Sequence, residues 1–278
     1  MNRRVATLWI GLALVSFIAA IAVLSLVWLP HEISDTSGGR LDPPGTEGHL
    51  FGTDRLGRDL ATQFMIGARI AMLSGIGAVV IAGVVGVTCG IIAAFAQGWI
   101  DDTLAALLDI LIAFPTLLLA MLIVAAQPAT LWTAILAIGL AQSAIVARLT
   151  RILVKRVLQT SFVTAARTSG TSWTGIVFGH VLPNIWTTLV VSLALQFGLA
   201  VLAEASLSYL GLGAPPPNAS WGRLLQEAQQ TVLVAPMGAI VPGVLLIVLV
   251  IGVNLVADGL RDVLDPTARR SVRQEVAS

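Results

Sequence analysis

Long apolar stretches alternate with shorter polar connections along the chain. A helix that crosses a bilayer needs about 20 predominantly apolar residues, because hydrocarbon cannot hydrogen-bond to open backbone groups. Arg3 and Arg4 precede the first stretch as in a signal peptide, but that stretch is longer than a signal-peptide core, so we interpret it as a retained anchor helix. The pattern predicts six spans: Ala6–Leu29, Ile70–Ala96, Leu104–Ala126, Leu131–Ala147, Trp186–Ala203 and Met237–Val256.

The composition supports an all-α, polytopic membrane protein. Of the 278 residues, 56% are hydrophobic and 11% are charged, and the mean hydropathy is +0.91. Soluble domains contain about 25% charged residues, so this composition argues against a soluble globular protein. The single cysteine, Cys89, excludes a disulfide scaffold. The near balance of 16 basic and 15 acidic residues disfavours nucleic-acid binding.

Charges in the connections predict the orientation, because short loops rich in Lys and Arg stay in the cytoplasm. The connection 148–184 contains five basic residues and no acidic residue. The connections 31–69 and 204–236 together contain five basic residues against eight carboxylates. We therefore predict a multi-pass protein of the cytoplasmic (inner) membrane, with both termini and the connection 148–184 on the cytoplasmic side.

The connection 148–184 contains small residues close to one another. Ala165, Ala166 and Gly170 are spaced so that a short helix brings their small side chains within one turn, where another protein can approach closely. Pro183 is predicted to break the helix just before the fifth span. From residue chemistry alone, an amphipathic helix lying on the inner leaflet explains this segment equally well.

The same segment resembles the "EAA" loop of ABC-importer permeases. That pattern reads Glu-Ala-Ala, three residues, Gly, nine residues, an apolar residue, any residue and Leu-Pro. Thr164 stands in place of the glutamate and His180 in place of the apolar residue. Both positions vary in the peptide-importer branch of the family, so these two departures favour that branch. The resemblance implies that cytoplasmic ATPase subunits contact Thr164, Ala165, Ala166, Arg167, Gly170, His180, Leu182 and Pro183.

Further segments resemble the second (C-type) permease subunit of dipeptide and oligopeptide importers. Residues 50–59 (LFGTDRLGRD) and 67–69 (GAR) are similar to that family's first signature. Residues 204–213 (EASLSYLGLG) and 258–266 resemble its segment after span five and its C-terminal segment. The implied architecture is a type I ABC-importer permease with an anchor helix and extracytoplasmic loop at 1–69, a five-helix core at 70–260 and a cytoplasmic tail at 261–278.

Polar residues in these segments are candidates for the outer mouth and the pore. Glu204 is an ionisable residue at the end of a span and hence a functional-site hypothesis, although a carboxylate that reaches the outer interface is an equally good interpretation. The turn around Asp54 could instead contain only local Asp–Arg pairs. Gln196 and Asn254 could form interhelical hydrogen bonds or line a path. The outer and pore candidates are Gly52, Asp54, Arg58, Asp59, Gln196, Glu204 and Trp221.

Charged residues near the inner ends of the spans have simpler explanations. Asp109, near the inner end of the third span, is predicted to pair with an inner arginine. The acidic and basic residues after the sixth span could simply cap and pair the last helix. The candidates from the C-terminal segment are Asp258, Arg261, Asp262 and Asp265.

The sequence lacks the motifs of catalytic chemistry. A P-loop needs Gly-x-x-x-x-Gly-Lys-[Ser/Thr], and Lys155, the single lysine, is not in that context. His31, His49 and His180 are scattered along the sequence and predict no metal site. We therefore expect a non-catalytic chain without a metal or cofactor of its own, with ATP and Mg²⁺ bound by partner subunits.

The resemblance implies one half of a heterodimeric pore that imports di- or oligopeptides by alternating access. Its implied partners are a sister permease, cytoplasmic P-loop ATPase subunits, an extracytoplasmic binding protein, membrane lipid and the peptide. A nickel or other small-solute permease of the same family is an alternative. An ion-driven secondary transporter is a second alternative, disfavoured because no predicted span has an ionisable residue at its centre. An intramembrane enzyme is disfavoured because no histidine lies inside a span.

Overall fold

The computed structural model describes residues 3–216 and 218–264. Within them the regular secondary structure is helical, with two isolated β-bridges beside it, so the all-α prediction is confirmed. A π-helical turn, Val177–Val181, joins the seventh helix to the eighth. The helices are α1 (Arg3–Val27), α2 (Leu60–Phe95), α3 (Trp99–Ala113), α4 (Thr116–Ala125), α5 (Leu131–Leu158), α6 (Ser161–Thr168), α7 (Trp173–Ile176), α8 (Leu182–Tyr209), α9 (Trp221–Ala228) and α10 (Met237–Leu264).

Five helical stretches in the described residues are long and apolar enough to cross a membrane. They are α1, α2, α5, the continuous stretch from α7 through α8, and α10. The third predicted span is divided into α3 and α4, which are bent by 88° relative to each other. The break falls at Phe114 and Pro115, because proline cannot donate a helical hydrogen bond and holds the residue before it in an extended conformation.

Several helices extend beyond the predicted spans. α2 begins at Leu60, so residues 67–69 lie on the helix and not in a loop. α5 continues to Leu158 and carries the basic residues of 148–156, which the sequence pattern placed in a connection. The prediction that Pro183 breaks a helix is wrong. This proline lies in the first turn of α8, and the wider π turn before it accommodates the proline ring.

The longest helix, α2, defines the two ends of the bundle. Its 36 residues rise about 1.5 Å each and give a length of about 54 Å. Leu60 at its start packs in a cluster with Trp221, whereas Ala94 near its end packs with Val154 of α5. We name the start of α2 the outer end of the bundle and its finish the inner end, after the orientation that the charges predict.

α1 and α10 lie antiparallel and in close contact. A Cβ atom on Gly11 would lie 2.6 Å from the backbone nitrogen of Val256, and one on Gly259 would lie 2.6 Å from the Cβ of Leu8. Small residues of this kind allow membrane helices to approach closely. Because α10 begins in the outer cluster, these contacts place the start of α1 and the finish of α10 at the inner end.

Trp221, a predicted pore candidate, lies in the apolar cluster of the outer end. Its side chain is 1% exposed, and its indole N–H donates a hydrogen bond to the carbonyl oxygen of Phe64 at 3.0 Å. The structure thus uses Trp221 to pack α9 against α2.

We expect Trp221→Ala to lower the free energy of unfolding by about 3–5 kcal/mol, because it leaves a cavity in the core. Trp221→Phe should cost about 1 kcal/mol through loss of the indole hydrogen bond. Thermal unfolding in mild detergent measures both effects. Trp132→Ala is the matched control, because Trp132 is 68% exposed. Equal unfolding midpoints for Trp221→Ala and Trp132→Ala would contradict the packing role.

Candidate functional site

The predicted coupling segment begins in the short helix α6, and Gly170 lies two residues after the end of that helix. This glycine has a φ of +86°, a left-handed conformation that other residues adopt only with strain. Its N–H donates to the carbonyl of Arg167 at 3.0 Å, and the N–H of Thr171 donates to the carbonyl of Ala166 at 3.1 Å. This pair of bonds is a Schellman helix end. Gly170 therefore terminates α6. The sequence suggested that Gly170 shares a helical turn with Ala165 and Ala166, and the structure shows that it does not.

α6 carries the expected docking residues on the surface of the inner end. Val163 is buried and fixes one face of the helix to the bundle. A Cβ atom on Gly170 would have nothing within 4 Å, so the space around it is open. Of the expected contact residues, Ala166, His180 and Leu182 are half-buried, and the exposed ones are Thr164, Ala165, Arg167, Gly170 and Pro183.

Arg167 connects α6 to the inner end of α2 through two aromatic rings. Its guanidinium carbon lies 3.9 Å from the ring centroid of Trp173, a cation–π contact that stabilises by about 0.5–1 kcal/mol at an exposed site. Trp173 packs edge-on against Phe95, with ring centroids 5.2 Å apart. Because Phe95 is the last residue of α2, this path joins α6 to the longest helix. The sequence reasoning missed Trp173, whose position in a polar connection was the available signal.

Ion pairs hold the broken third span to α5 at the inner end. Asp101 of α3 accepts hydrogen bonds from Arg151, with an Nε-to-Oδ1 distance of 3.0 Å, and from Lys155. Asp109 lies 3.4 Å from Arg148, which confirms the predicted pairing with an inner arginine. Part of the positive charge in 148–156 therefore binds α3.

At the outer end, the turn before α2 is tied to α9. A Cβ atom on Gly52 would lie 2.2 Å from the carbonyl oxygen of Asp42, so only glycine fits there. Asp54 accepts a hydrogen bond from Arg58 at 2.7 Å, the local pair that the sequence allowed. Arg58 also donates to Glu227 of α9 at 3.2 Å. The turn therefore contains a local ion pair and also contacts a distant part of the chain.

A cavity of about 320 Å³ lies between this turn and α9. Arg223 pairs with Glu227 at 2.8 Å on its wall, and Arg55 donates to Gln230 at 2.7 Å. Neither Arg223 nor Glu227 was a candidate from the sequence, although two opposite charges four residues apart on a helix are a readable pairing signal. The charged residues that line the cavity are Asp54, Arg55, Arg58, Arg223 and Glu227.

Two of the three histidines, which are far apart in the sequence, meet at the outer end. The Nδ1 of His49 lies 3.0 Å from Oδ1 of Asp59, and the Nδ1 of His31 lies 3.6 Å from Oδ2. Burial raises the pKa of Asp59, but hydrogen bonds from Thr62 and His49 outweigh burial and hold the pKa below its ordinary value. We name His31, His49 and Asp59 the histidine–aspartate cluster.

Glu204 is buried near the outer end of α8, where it is 2% exposed. The interpretation of a carboxylate that reaches the outer interface is therefore wrong. Ser208 donates a hydrogen bond to its Oε1 at 2.6 Å. The side chain of Ser220, the N-cap residue of α9, lies beside the carboxylate. Glu204 thus lies where the outer end of α8 meets the start of α9.

Two buried glutamines mark a polar position between α5 and α8. The side-chain amide of Gln142 donates to the backbone carbonyl of Gln196 at 3.2 Å, and the Oε1 atoms of both side chains are buried without a partner. Gln142 also lines a cavity of about 230 Å³ beside Thr116, just after the break in the third span. Asn254 of α10 is exposed. The glutamine pair is therefore the stronger candidate for a polar path.

The C-terminal candidates lie at the inner end. Asp258, Arg261 and Asp262 are exposed on the last turns of α10, and Asp265 lies outside the described residues.

Comparisons with known proteins agree on one family. Residues 86–270, which include the inner connection and most of the bundle, match the family "Binding-protein-dependent transport system inner membrane component". The dipeptide transport system permease protein DppC of Alkalihalophilus pseudofirmus is 37% identical over 92% of this chain and 84% of its own length. The oligopeptide permease protein OppC of Bacillus subtilis is 34% identical over 94% and 86%. The glutathione permease protein GsiD of Pectobacterium atrosepticum is 35% identical over 91% and 84%.

We expect Glu204→Ala to lower the free energy of unfolding by about 1–3 kcal/mol, because the hydroxyl of Ser208 loses its buried acceptor. Glu204→Gln keeps one carbonyl acceptor and should lose less. Thermal unfolding in detergent compares both variants with Glu32→Ala, which removes an exposed carboxylate. If Glu204→Ala unfolds at the temperature of Glu32→Ala, this stabilising role is wrong.

Proposed function

Because the chain belongs to the family of inner membrane components of binding-protein-dependent transport systems, we propose that it is a pore-forming permease subunit of an ATP-driven importer of di- and oligopeptides. The similarity to dipeptide, oligopeptide and glutathione permeases carries this proposal, since each alignment covers more than 90% of the chain. The chain is a multi-pass membrane protein. We place it in the cytoplasmic membrane with both termini inside, because basic residues gather at the inner end.

A sister permease completes the pore in this proposal. Leu136 and Leu140 of α5 and Leu195 and Leu199 of α8 are each at least 43% exposed, although they flank the buried glutamine pair. Apolar faces next to a polar position suit a second permease better than lipid, because the peptide path needs polar groups between two subunits. Lipid then covers the remaining apolar surface.

Cytoplasmic ATPase subunits would receive α6 in a surface cleft. They bind ATP and Mg²⁺ in this proposal, since this sequence has no P-loop lysine. ATP favours the closed ATPase dimer, and α6 moves with it. The contacts from Arg167 through Trp173 to Phe95 then pass this movement to α2, which extends to the outer end. A ligand shifts such an equilibrium only by its differential affinity for the two states, and here ATP supplies that difference.

An extracytoplasmic binding protein would deliver the peptide at the outer end. The cavity between the turn before α2 and α9 offers carboxylates and guanidinium groups in one concave surface. Such a surface suits the charged surface of a docking protein or the two charged termini of a peptide.

Affinity purification from native membranes and reconstitution into vesicles test this function. We expect a second multi-span permease and P-loop ATPase subunits to accompany the chain, and the complex to import peptide only with ATP and the binding protein. Uptake of Ni²⁺ in place of peptide would show that the chain is a small-solute permease of the same family. Uptake driven by an ion gradient without ATP would overturn the proposal.

We expect Gly170→Trp to weaken binding of the ATPase subunits about tenfold or more, which corresponds to about 1.4 kcal/mol. A large side chain would project from the exposed inner surface into the docking cleft. Co-purification of ATPase subunits and peptide uptake are the readouts.

Gly211→Trp is the control for backbone strain. Gly211 also has a positive φ, +81°, with nothing within 4 Å of its Cβ position, but it lies beyond the outer end of α8. This variant should retain the ATPase subunits. Retention of the ATPase subunits by Gly170→Trp at the wild-type level would show that α6 is not the docking element.

A further inference from the structure

The histidine–aspartate cluster brings three metal-ligand side chains to one point of the outer end. One ligand atom from each of His31, His49 and Asp59 lies within 4.8 Å of the other two. A tetrahedral Zn²⁺ ion with bonds of about 2.0–2.2 Å separates its ligand atoms by about 3.4 Å. The Nδ1 of His49 lies 3.0 Å from Oδ1 of Asp59 and the Nδ1 of His31 lies 3.6 Å from Oδ2, so binding of one ion through a single carboxylate oxygen requires a rotation of the carboxylate or of a ring.

We propose that His31, His49 and Asp59 form a three-ligand site for Zn²⁺ that joins the segment after α1 to the start of α2. Two imidazoles and one carboxylate are a ligand set that zinc accepts, with a water molecule in the fourth position. Their total charge is −1 when both histidines are neutral, which favours a divalent cation.

The ring of His31 carries the first argument for a ligand. Its Nδ1 is buried without a hydrogen-bond partner, an arrangement that costs free energy unless something else binds the atom. The ring is held in place by the ring of His49, with centroids 4.4 Å apart. This Nδ1 therefore makes no hydrogen bond to the protein and is held in a position where it can bind a metal ion.

The second argument is that the backbone holds the ligands in position. Thr62 donates its N–H to Oδ2 of Asp59 at 2.7 Å, and its hydroxyl accepts the N–H of His31 at 3.1 Å. His49 is fixed in a tight loop, where its carbonyl accepts from Gly45 at 2.8 Å. Supporting bonds of this kind orient metal ligands and raise affinity.

Binding requires one tautomeric change. Without metal, the Nδ1–H of His49 donates to Asp59. Zn²⁺ needs the lone pair of that nitrogen, so the proton moves to Nε2 of the same ring and the ring stays neutral. Oxygen-preferring ions such as Mg²⁺ are poor partners for two imidazoles, so Mg²⁺ should not compete.

The test is metal binding to the purified chain in detergent. The chain is purified through an affinity tag that contains no histidine. After treatment with a chelator and dialysis against Zn²⁺, we expect one ion per chain by elemental analysis. Zn²⁺ should also raise the unfolding temperature, and Mg²⁺ in excess should change neither result. Co²⁺ should give the absorption of a tetrahedral nitrogen–oxygen site.

His31→Phe is the decisive variant, because it keeps a ring against His49 and removes both ring nitrogens, including the Nδ1 that makes no hydrogen bond. We expect this variant to fold as the wild type does and to bind Zn²⁺ about tenfold or more weakly. His180→Phe is the matched control, since it alters the remaining histidine at the inner end, and it should bind as the wild type does. Equal Zn²⁺ affinity in His31→Phe and the wild type, or no binding by the wild type, would overturn the site.

Discussion

Hydrocarbon offers no hydrogen bonds to a polypeptide backbone, and the architecture of this protein depends on that constraint. The chain satisfies its N–H and C=O groups inside long helices, so irregular backbone and charged side chains gather at the two ends of the bundle. Where the helical hydrogen bonds are interrupted inside a span, at Pro115, the chain bends by 88°. The buried Gln142 lines a cavity at the same place. The helix break and the buried glutamine thus lie next to each other within the apolar layer.

The two ends differ in how they are held. The outer end is joined by several polar contacts: Arg58 links the turn before α2 to α9, Asp59 caps α2, and Ser208 holds the buried carboxylate of Glu204 at the end of α8. At the inner end, α6 is anchored by the buried Val163 and by the contact of Arg167 with Trp173, while its remaining surface is free. The exposed surface of α6 suits the proposed contact with ATPase subunits at the inner end.

Much of the candidate site could be predicted from residue order. The apolar pattern placed the five helical stretches that can cross a membrane and the bent pair α3–α4. The small residues of 164–170 indicated the segment that contains the exposed helix α6, although Gly170 proved to be a helix end. Glu204 was a candidate, but its burial was not predictable. A carboxylate at the end of an apolar run looks exposed until Ser208 and Ser220 are known to contact it. Pro183 misled for a related reason, since the π turn that accommodates it has no sequence pattern.

The sequence by itself determined the membrane-spanning class and the family resemblance, because those depend on the length of apolar runs and on local motifs, and its charge counts predicted the orientation. The tertiary structure decided which distant residues meet. His31 and His49 lie 18 positions apart, and Arg58 contacts Glu227 across 169 positions. Such pairs have no period along the chain and arise only when helix packing brings loops together. The packing of α9 against α2 and against the turn before α2 therefore decided which residues meet at the outer end. The contacts from Arg167 through Trp173 to Phe95 decided how α6 is attached at the inner end.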